Sequence, residues 1–319
     1  MLALFPAPHR ITRSLLSPTD EELLLSCARY QYITHAQWCS AFEDEGKLRY
    51  VQRRSRELVA DSYFMRLHIA QLGSKGKAPY LFTLGTKGRQ HVASLGIAIP
   101  QRFRPTDATT LSPRHVAHSA AITDVLLSFD LLARHDDRIA IEDLRHERFL
   151  HEQRFKVTVP MVQPLTGDMT KRQVEVIPDA FVRVVAQVGT QGRVFPLVIE
   201  VDRDTERQVA FRDKIANLYA FGMSDAYERV YGARSLNVAF IFPPAHGDPR
   251  ARLAEALDWT ERELRQRHLE HEAVSFSFCA RDPVTTPPAE LLLGTHWLHP
   301  FSTTPHALID LAESAEGGA

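Results

Sequence analysis

Residues 177–202 read IPDAFVRVVAQVGTQGRVFPLVIEVD, and no other stretch predicts as much about how the chain folds. Two apolar runs, each long enough for a β-strand, flank the turn sequence GTQG at residues 189–192. This pattern predicts a β-hairpin whose two strands are largely buried.

Three carboxylates belong to the predicted hairpin: Asp179, Glu200 and Asp202. If the turn centres between Thr190 and Gln191, Asp179 lies across from Asp202, and Glu200 lies two residues away on the same face. Carboxylates packed this closely repel each other, and a divalent cation such as Mg²⁺ or Mn²⁺ would compensate their charge. We therefore predict that these three residues bind a metal ion and catalyse phosphodiester chemistry.

A structural role is the alternative for the same three residues. Asp179 would then cap a turn after Pro178, and the other two carboxylates would form ion pairs with nearby arginines. The candidate arginines are Arg183, Arg203 and Arg207. The placement of Pro-Asp on one strand and Glu-x-Asp on the next favours the metal site over this alternative.

The segments around the hairpin alternate between helical and strand-like patterns. Residues 151–173 look irregular, and the proline-bearing tail from residue 283 is expected to cover the surface. The order αβββαβαβ predicts an α/β fold in which a three-strand meander leads into a parallel crossover, so that helices flank a mixed sheet. The predicted helices are 113–134, 205–221 and 249–270, and the predicted strands are 139–150, 174–188, 195–202, 236–242 and 274–278.

The first third of the chain has a different pattern. Three helices, a strand, a basic turn, a second strand and a last helix follow one another, which is the order of a winged helix-turn-helix. We predict this domain over residues 18–96, preceded by a loose arm at 1–17 and followed by a proline-bearing linker at 97–113. The helices are predicted to begin at residues 17, 34, 47 and 86, and the strands are 63–69 and 79–83.

The third predicted helix is strongly basic. Leu48, Val51 and Leu58 are expected to face inward, which leaves the basic side chains free to contact bases and phosphates in the major groove. Lys75 and Lys77, at the tip of the predicted wing, are expected to contact the neighbouring DNA backbone. A solvated basic face without DNA, or a winged helix that binds protein, is the alternative. The basic residues of the helix are Lys47, Arg49, Arg53, Arg54 and Arg56.

Bulk composition narrows the class of protein. The net charge is −1, but Lys and Arg outnumber Asp and Glu in residues 1–100 and are outnumbered in the rest. A basic first third favours a polyanion partner for that part. The three cysteines form no CxxC pair and no zinc spacing, which predicts a reduced cytoplasmic protein. We see no signal peptide and no segment that approaches the length and apolarity of a membrane span.

The motifs together resemble two known groups of proteins. Pro178-Asp179 followed by Glu200-x-Asp202 resembles the restriction-endonuclease-like PD-(D/E)xK superfamily. The whole order is similar to the replication-relaxation family, which contains relaxases of the mobilisation-protein C type and plasmid replication or transfer proteins. This resemblance covers about residues 18–280, and it rests on the segments TLGTKG (83–88), HVAHSAAITDVLL (115–127), IPDAF (177–181), IEVDRDTE (199–206) and FRDKIANLY (211–219).

The resemblance implies a lysine two residues after the acidic residue, where this chain has Asp202. In some superfamily members the lysine comes from the following helix, and Lys214 is the candidate here, unless it is an ordinary solvated lysine. Glu147, His118 or Asp124 could complete the acidic cluster.

Three functions remain open at this point. The first is an enzyme in which the winged helix finds a duplex DNA site and the second domain nicks one strand with Mg²⁺ or Mn²⁺. The second is an inert nuclease fold that binds DNA as a regulator or replication accessory. The third is an interaction protein that docks other replication, transfer or defence proteins. A homodimer is compatible with each of them.

Overall fold

The computed structural model describes residues 16–68, 79–100, 112–153, 155–162, 169–203, 206–245 and 247–312. The chain divides into two compact units, with the first ending at Pro113 and the second beginning at Arg114, apart from residues 100–102. Residues 1–15 of the predicted arm (1–17), the wing lysines Lys75 and Lys77, and most of the predicted linker lie outside the described residues.

The predicted helices and strands of unit 1 follow one another in the predicted order, and a short strand at Ile33–Thr34 that the sequence does not predict is added. The first helix begins where Ser17 and Asp20 form a capping box, in which Asp20 Oδ2 accepts from the Ser17 N–H at 2.7 Å. A three-stranded antiparallel sheet of order β1-β3-β2 packs with the helices. The helices and strands of unit 1 are α1 (Pro18–Tyr30), β1 (Ile33–Thr34), α2 (His35–Ala41), α3 (Leu48–Ala60), β2 (Phe64–His68), β3 (Tyr80–Leu84) and α4 (Thr86–Ser94).

The packing of unit 1 accounts for the apolar residues of α3 and for a glycine of α4. Val51 and Leu58 on α3 are fully buried, as predicted, whereas Leu48 is 39% exposed, so its predicted inward position is wrong. The TLGTKG segment packs α4 tightly onto the sheet. A Cβ at Gly88 would lie 2.2 Å from the Tyr63 carbonyl oxygen, which only glycine avoids.

His35 on α2 makes unit 1 sensitive to acid. Burial, together with the positive charges of Arg56 and Arg66, lowers its pKa from 6.5 to about 4. His35 therefore binds a proton near pH 6.5 in the unfolded chain but only near pH 4 in the folded chain. We expect unit 1 to lose about 1.4 kcal/mol of stability per pH unit across this window because of His35.

Hydrogen exchange of the α2 and α3 amides, followed between pH 7 and pH 4, measures this effect. A His35→Gln variant should lose that part of the pH dependence. An identical dependence in the variant and the wild type would contradict the assignment to His35.

Unit 2 is built on a five-stranded sheet of order β10-β9-β8-β7-β4. Its strands β4, β7 and β8 form an antiparallel meander, and β8, β9 and β10 run parallel to each other. The predicted mixed sheet is confirmed. The strands of this sheet and the helices that accompany them are α5 (Pro113–His135), β4 (Ile139–His146), α6 (Glu147–Gln153), β7 (Ala180–Val188), β8 (Gln191–Val201), α7 (Gln208–Gly222), α8 (Asp225–Tyr231), β9 (Val238–Ile241), α9 (Pro249–Arg267) and β10 (Phe276–Cys279).

A separate hairpin was not predicted. Strands β5 (Phe155–Val162) and β6 (Met169–Val176) form a two-stranded antiparallel sheet in the segment predicted to be irregular. Val157, Val159 and Val176 bury one side of this hairpin in the core that also contains α7. The long strand predicted at 174–188 is wrong, because the sheet breaks at Ile177-Pro178-Asp179, where proline has no N–H to donate.

The chain after β10 returns to the sheet. Helix α10 (Pro288–Leu293) precedes Trp297, which is fully buried and whose indole N–H donates to the Leu291 carbonyl at 2.8 Å. Leu298 bridges to Phe278 on β10. This tail is therefore part of the folded unit and not only a covering of its surface.

Helix α5 is long and apolar enough to cross a membrane by length and composition, with a mean hydropathy of 1.4 over its most apolar 18 residues. The prediction that no segment approaches the length and apolarity of a membrane span is therefore wrong. Within unit 2, 61% of that window is buried, and Ile122, Val125 and Leu126 are fully enclosed. This burial is typical of the core helix of a folded unit.

Candidate functional site

The β7–β8 register decides which carboxylates meet. Val188 pairs with Gln191, so the turn centres between Gly189 and Thr190, one residue earlier than predicted. Gly189 takes a φ of 58°, which suits glycine at a tight turn. Ala180 pairs with Ile199, and the register continued by one residue sets Asp179 opposite Glu200. The predicted pairing of Asp179 with Asp202 is wrong.

Asp179 lies just before β7 and uses both of its oxygens. Oδ1 is 3.0 Å from Nε2 of His118 on α5, and Oδ2 accepts the Val201 N–H at 2.8 Å. Burial alone would raise the pKa of Asp179, but the charge and hydrogen bond of His118 lower it to about 2. The same contact raises the pKa of His118 to about 9, although burial opposes this rise. The two residues therefore form an ion pair at neutral pH.

Glu200 on β8 meets the lysine that the resemblance implies. Lys214 on α7 donates from Nζ to Glu200 Oε2 at 2.9 Å, and it also pairs with Glu206 at 2.5 Å. Burial raises the pKa of Glu200 and Asp179 adds to the rise, whereas the charge and hydrogen bond of Lys214 oppose it. Burial would lower the pKa of Lys214, but the surrounding carboxylates raise it above its ordinary value. The predicted approach of Lys214 to Glu200 is confirmed.

Asp202 shares its strand face with Glu200 but has a different partner. Arg252 on α9 donates from both Nε and Nη2 to Asp202 Oδ2, at 3.0 and 2.6 Å. Both side chains are buried, and Arg252 also lies over the Trp259 ring at 4.7 Å. The structure therefore does not bring Asp202 into the predicted three-carboxylate cluster. Arg252 is not one of the three arginines that the sequence suggested.

A nitrogen- and oxygen-bearing cluster surrounds Asp179 instead. The ligand atoms of His118, Glu147 and Asp179 all lie within 4.8 Å of one another. Glu147 opens α6 and is buried, and it accepts from Ser119 Oγ at 2.6 Å. Burial raises the pKa of Glu147. His118 and Glu147 were secondary candidates from the sequence, whereas Asp124 is not among the three residues of this cluster.

Sequence reasoning missed the residues that support the cluster. They are Ser119, His115, whose Nε2 is 3.4 Å from Glu147 Oε1, and Arg148, whose Nη2 is 3.1 Å from that same histidine nitrogen. The signal was present in HVAHSAA, because residues three and four apart on a helix share a face. Glu206, the second partner of Lys214, had no comparable signal.

The basic helix α3 of unit 1 carries two kinds of arginine. Arg49, Arg53 and Arg56 are exposed. Arg54 is half-buried and binds Asp20 on α1 through two hydrogen bonds, from Nε to Oδ1 at 2.5 Å and from Nη2 to Oδ2 at 2.8 Å. The guanidinium is thus engaged by Asp20 inside unit 1, which disfavours the predicted contact of Arg54 with DNA. Lys47 is exposed and lies just before α3, 3.6 Å from Asp44.

Residues 24–236 match the family model described as replication-relaxation. The chain belongs to the replication-relaxation family. This membership points to a role in the replication or mobilisation of a plasmid or other mobile element, with DNA and replication proteins as partners in general. No curated protein and no solved structure shows a significant match to the chain.

The matched region of this replication-relaxation protein contains α3 and every residue of the two clusters around Asp179 and Glu200. Arg252, the partner of Asp202, lies beyond it. The acidic cluster and its lysine thus belong to the part of the chain that the family model matches.

Proposed function

We propose that this replication-relaxation protein binds duplex DNA through α3 and nicks one strand at Asp179, Glu200 and Lys214. One observation carries the proposal: Lys214 reaches Glu200 at 2.9 Å from the helix that follows β8, beside Asp179. A lysine supplied by α7 replaces the one that is missing two residues after Glu200. Acid, acid and lysine thereby meet as in nucleases of the PD-(D/E)xK type.

The donor set fits a divalent ion. Asp179, Glu147 and His118 would hold it, and an imidazole beside two carboxylates suits Mn²⁺ better than Mg²⁺, which prefers oxygen ligands. Such an ion, when bound, makes bound water more acidic and neutralises charge on a phosphate. His118 must give up the proton that Asp179 stabilises, so ion binding should release a proton.

The chain's own residues have distinct tasks in this proposal. Lys214 keeps its proton on Nζ at neutral pH, and a fixed positive charge there stabilises a negatively charged phosphate oxygen. Glu200 orients Lys214 through their hydrogen bond. Arg252 and Asp202 position the end of β8 against α9 and contribute no group to the reaction.

Supercoiled plasmid provides the test. The full-length protein with Mn²⁺ should convert supercoiled plasmid to the open-circular form, and chelation of the metal should stop the conversion. Plasmid that is bound but stays supercoiled with Mn²⁺, Mg²⁺ and other divalent ions would reject the nickase.

The proposed DNA surface of unit 1 is wider than α3. Arg56 on α3 and Arg66 on β2 both lower the pKa of His35, so each of the two charges lies near that side chain. Arg66 is exposed and lies over the Tyr80 ring at 4.5 Å. Together with Arg49 and Arg53, these arginines form a basic surface suited to a DNA backbone.

An Arg53→Ala variant is expected to bind duplex DNA more weakly by about 1–3 kcal/mol if Arg53 contacts a base. If it contacts a phosphate, the loss should be similar for every sequence, and the salt dependence of binding should fall by about one unit of slope. Titration of fluorescent duplexes at several salt concentrations separates the two cases. Arg234→Ala, which removes an exposed arginine of unit 2, is the matched control. Equal affinity of both variants and the wild type would exclude Arg53 from the interface.

The hydrogen bonds and ion pairs that Asp179 and Glu200 already make favour a second function. Asp179 already has His118 and the Val201 N–H as partners, and Glu200 already has Lys214. A site neutralised in this way can persist without a metal ion, as in an inert nuclease fold that binds DNA as a regulator. Calorimetric titration with Mn²⁺ discriminates: absence of binding in the wild type, together with full DNA affinity, would support the regulator.

A further inference from the structure

A large cavity of unit 2 lies away from the acidic cluster. It has a volume of about 880 Å³ and is enclosed by β5, α7, the start of α8 and the end of α9. It shares α7 with Lys214, but none of the acidic-site residues lines it. A cavity of several hundred Å³ is the size that takes a compact organic ligand.

The interior of the cavity is apolar and includes one aromatic ring. Ala216 and Ala220, four residues apart on α7, leave room because their side chains are small, and Val157 and Leu269 complete the apolar wall. Tyr219 also lines the cavity, and its hydroxyl lies near the carboxylate of Glu272. Such a wall suits a flat ring system that packs against Tyr219.

The rim of the cavity is positively charged. Lys156, Arg229 and Arg267 line it, against a single carboxylate, Asp225. Arg267 is anchored, because it pairs with Glu263 and donates to the Pro160 carbonyl at 2.8 Å. Lys156 and Arg229 are exposed, so their charges are available to an anion that enters the cavity.

We propose that this cavity binds a nucleoside phosphate, with its base against Tyr219 and its phosphate between Lys156 and Arg229. A simple inorganic anion would leave the apolar wall uncovered, and a fatty acid would leave the hydroxyl of Thr158, which also lines the cavity, unused. The nucleoside phosphate is either a free nucleotide or the phosphorylated end of a DNA strand. The proposal does not depend on nicking at Asp179.

Isothermal titration of the full-length protein with adenosine 5′-monophosphate provides the test. Arg229→Glu should weaken binding at least about tenfold, because it turns an attraction to phosphate into a repulsion. Arg234→Glu, a charge reversal on the nearby surface outside the cavity, should leave binding unchanged. Ala220→Leu should weaken binding by filling the cavity, and Arg229→Glu keeps the test valid if that variant does not fold.

Titration with further ligands distinguishes the two sources of the nucleoside phosphate, a free nucleotide and the phosphorylated end of a DNA strand. A short single strand with a 5′-phosphate that binds more tightly than the nucleotide identifies a strand end as the ligand, whereas the reverse order identifies a free nucleotide. An Asp179→Asn variant that no longer nicks DNA should still bind the nucleotide, which keeps this proposal distinct from the nickase. Two results would overturn it: no binding at millimolar nucleotide, or inorganic phosphate that binds as tightly as the nucleotide.

Discussion

A Lys214→Met variant is expected to nick supercoiled plasmid about 100- to 1000-fold more slowly than the wild type, which is the usual effect of removing one preorganised group that stabilises developing charge. Lys214 carries the positive charge nearest to Glu200, at 2.9 Å, and α7 holds it there. Methionine keeps the length and apolar stem of the side chain but removes the charge. The rate of open-circular product formation with Mn²⁺ measures the effect.

Loss of activity alone would not separate catalysis from folding. Lys214→Met also leaves Glu200 buried without its cation, which destabilises unit 2. The matched control is the double variant Glu200→Gln/Lys214→Met, in which both partners are neutral. If the double variant regains thermal stability but nicks more slowly than the single variant Glu200→Gln, which keeps Lys214, Lys214 acts in the reaction. If it regains nicking, Lys214 only holds the fold, and the proposed role is refuted.

The fold of unit 2 was largely predictable because its strands are buried and its turns are short. The GTQG turn and the apolar runs gave the hairpin, and the order of elements gave the mixed sheet. The β5–β6 hairpin was missed although its signal was present: Val157 and Val159 are buried, and Lys156 and Thr158, which alternate with them, are exposed. That alternation is the pattern of a half-buried strand.

The register of the β7–β8 hairpin could not be read from the sequence to a single residue. The GTQG segment allows more than one turn position, and moving the turn centre by one residue changed the partner of Asp179 from Asp202 to Glu200. The approach of Lys214 was predictable because α7 directly follows β8. The contact with His118 was harder to foresee, since it joins residues 61 positions apart.

The pairing of Asp202 and of Arg54 shows one physical limit of the local sequence. Asp202 and Arg54 were assigned to function because their local sequences are acidic and basic. Each is instead half of a buried ion pair, with partners 50 and 34 positions away in the chain. A buried charge needs such a partner, but the local sequence does not say where the partner lies. Exposure, which only the structure gives, separates Arg54 from Arg53 on the same helix.

The contact between Arg54 and Asp20 leads to the largest stability effect that we expect in unit 1. An Arg54→Met variant should destabilise the unit by about 3–5 kcal/mol, the usual cost of removing one partner of a buried ion pair. Asp20 is fully buried, caps α1 and accepts two hydrogen bonds from Arg54. Burial alone would raise the pKa of Asp20, but the bonds to Arg54 and Ser17 hold it below 3.8.

Denaturant unfolding monitored by hydrogen exchange in α1 and α3 measures this loss. Arg53→Met is the matched control, since Arg53 is exposed on the same helix, and it should leave stability unchanged while weakening DNA binding. The lowered pKa of Asp20 gives a further sign: its stabilising contribution is present above about pH 4 and is lost as the pH falls through the folded-state pKa. The stability difference between wild type and Arg54→Met should therefore shrink in strong acid. A difference that stays constant down to pH 2 would show that Arg54 stabilises unit 1 by packing and not by its charge.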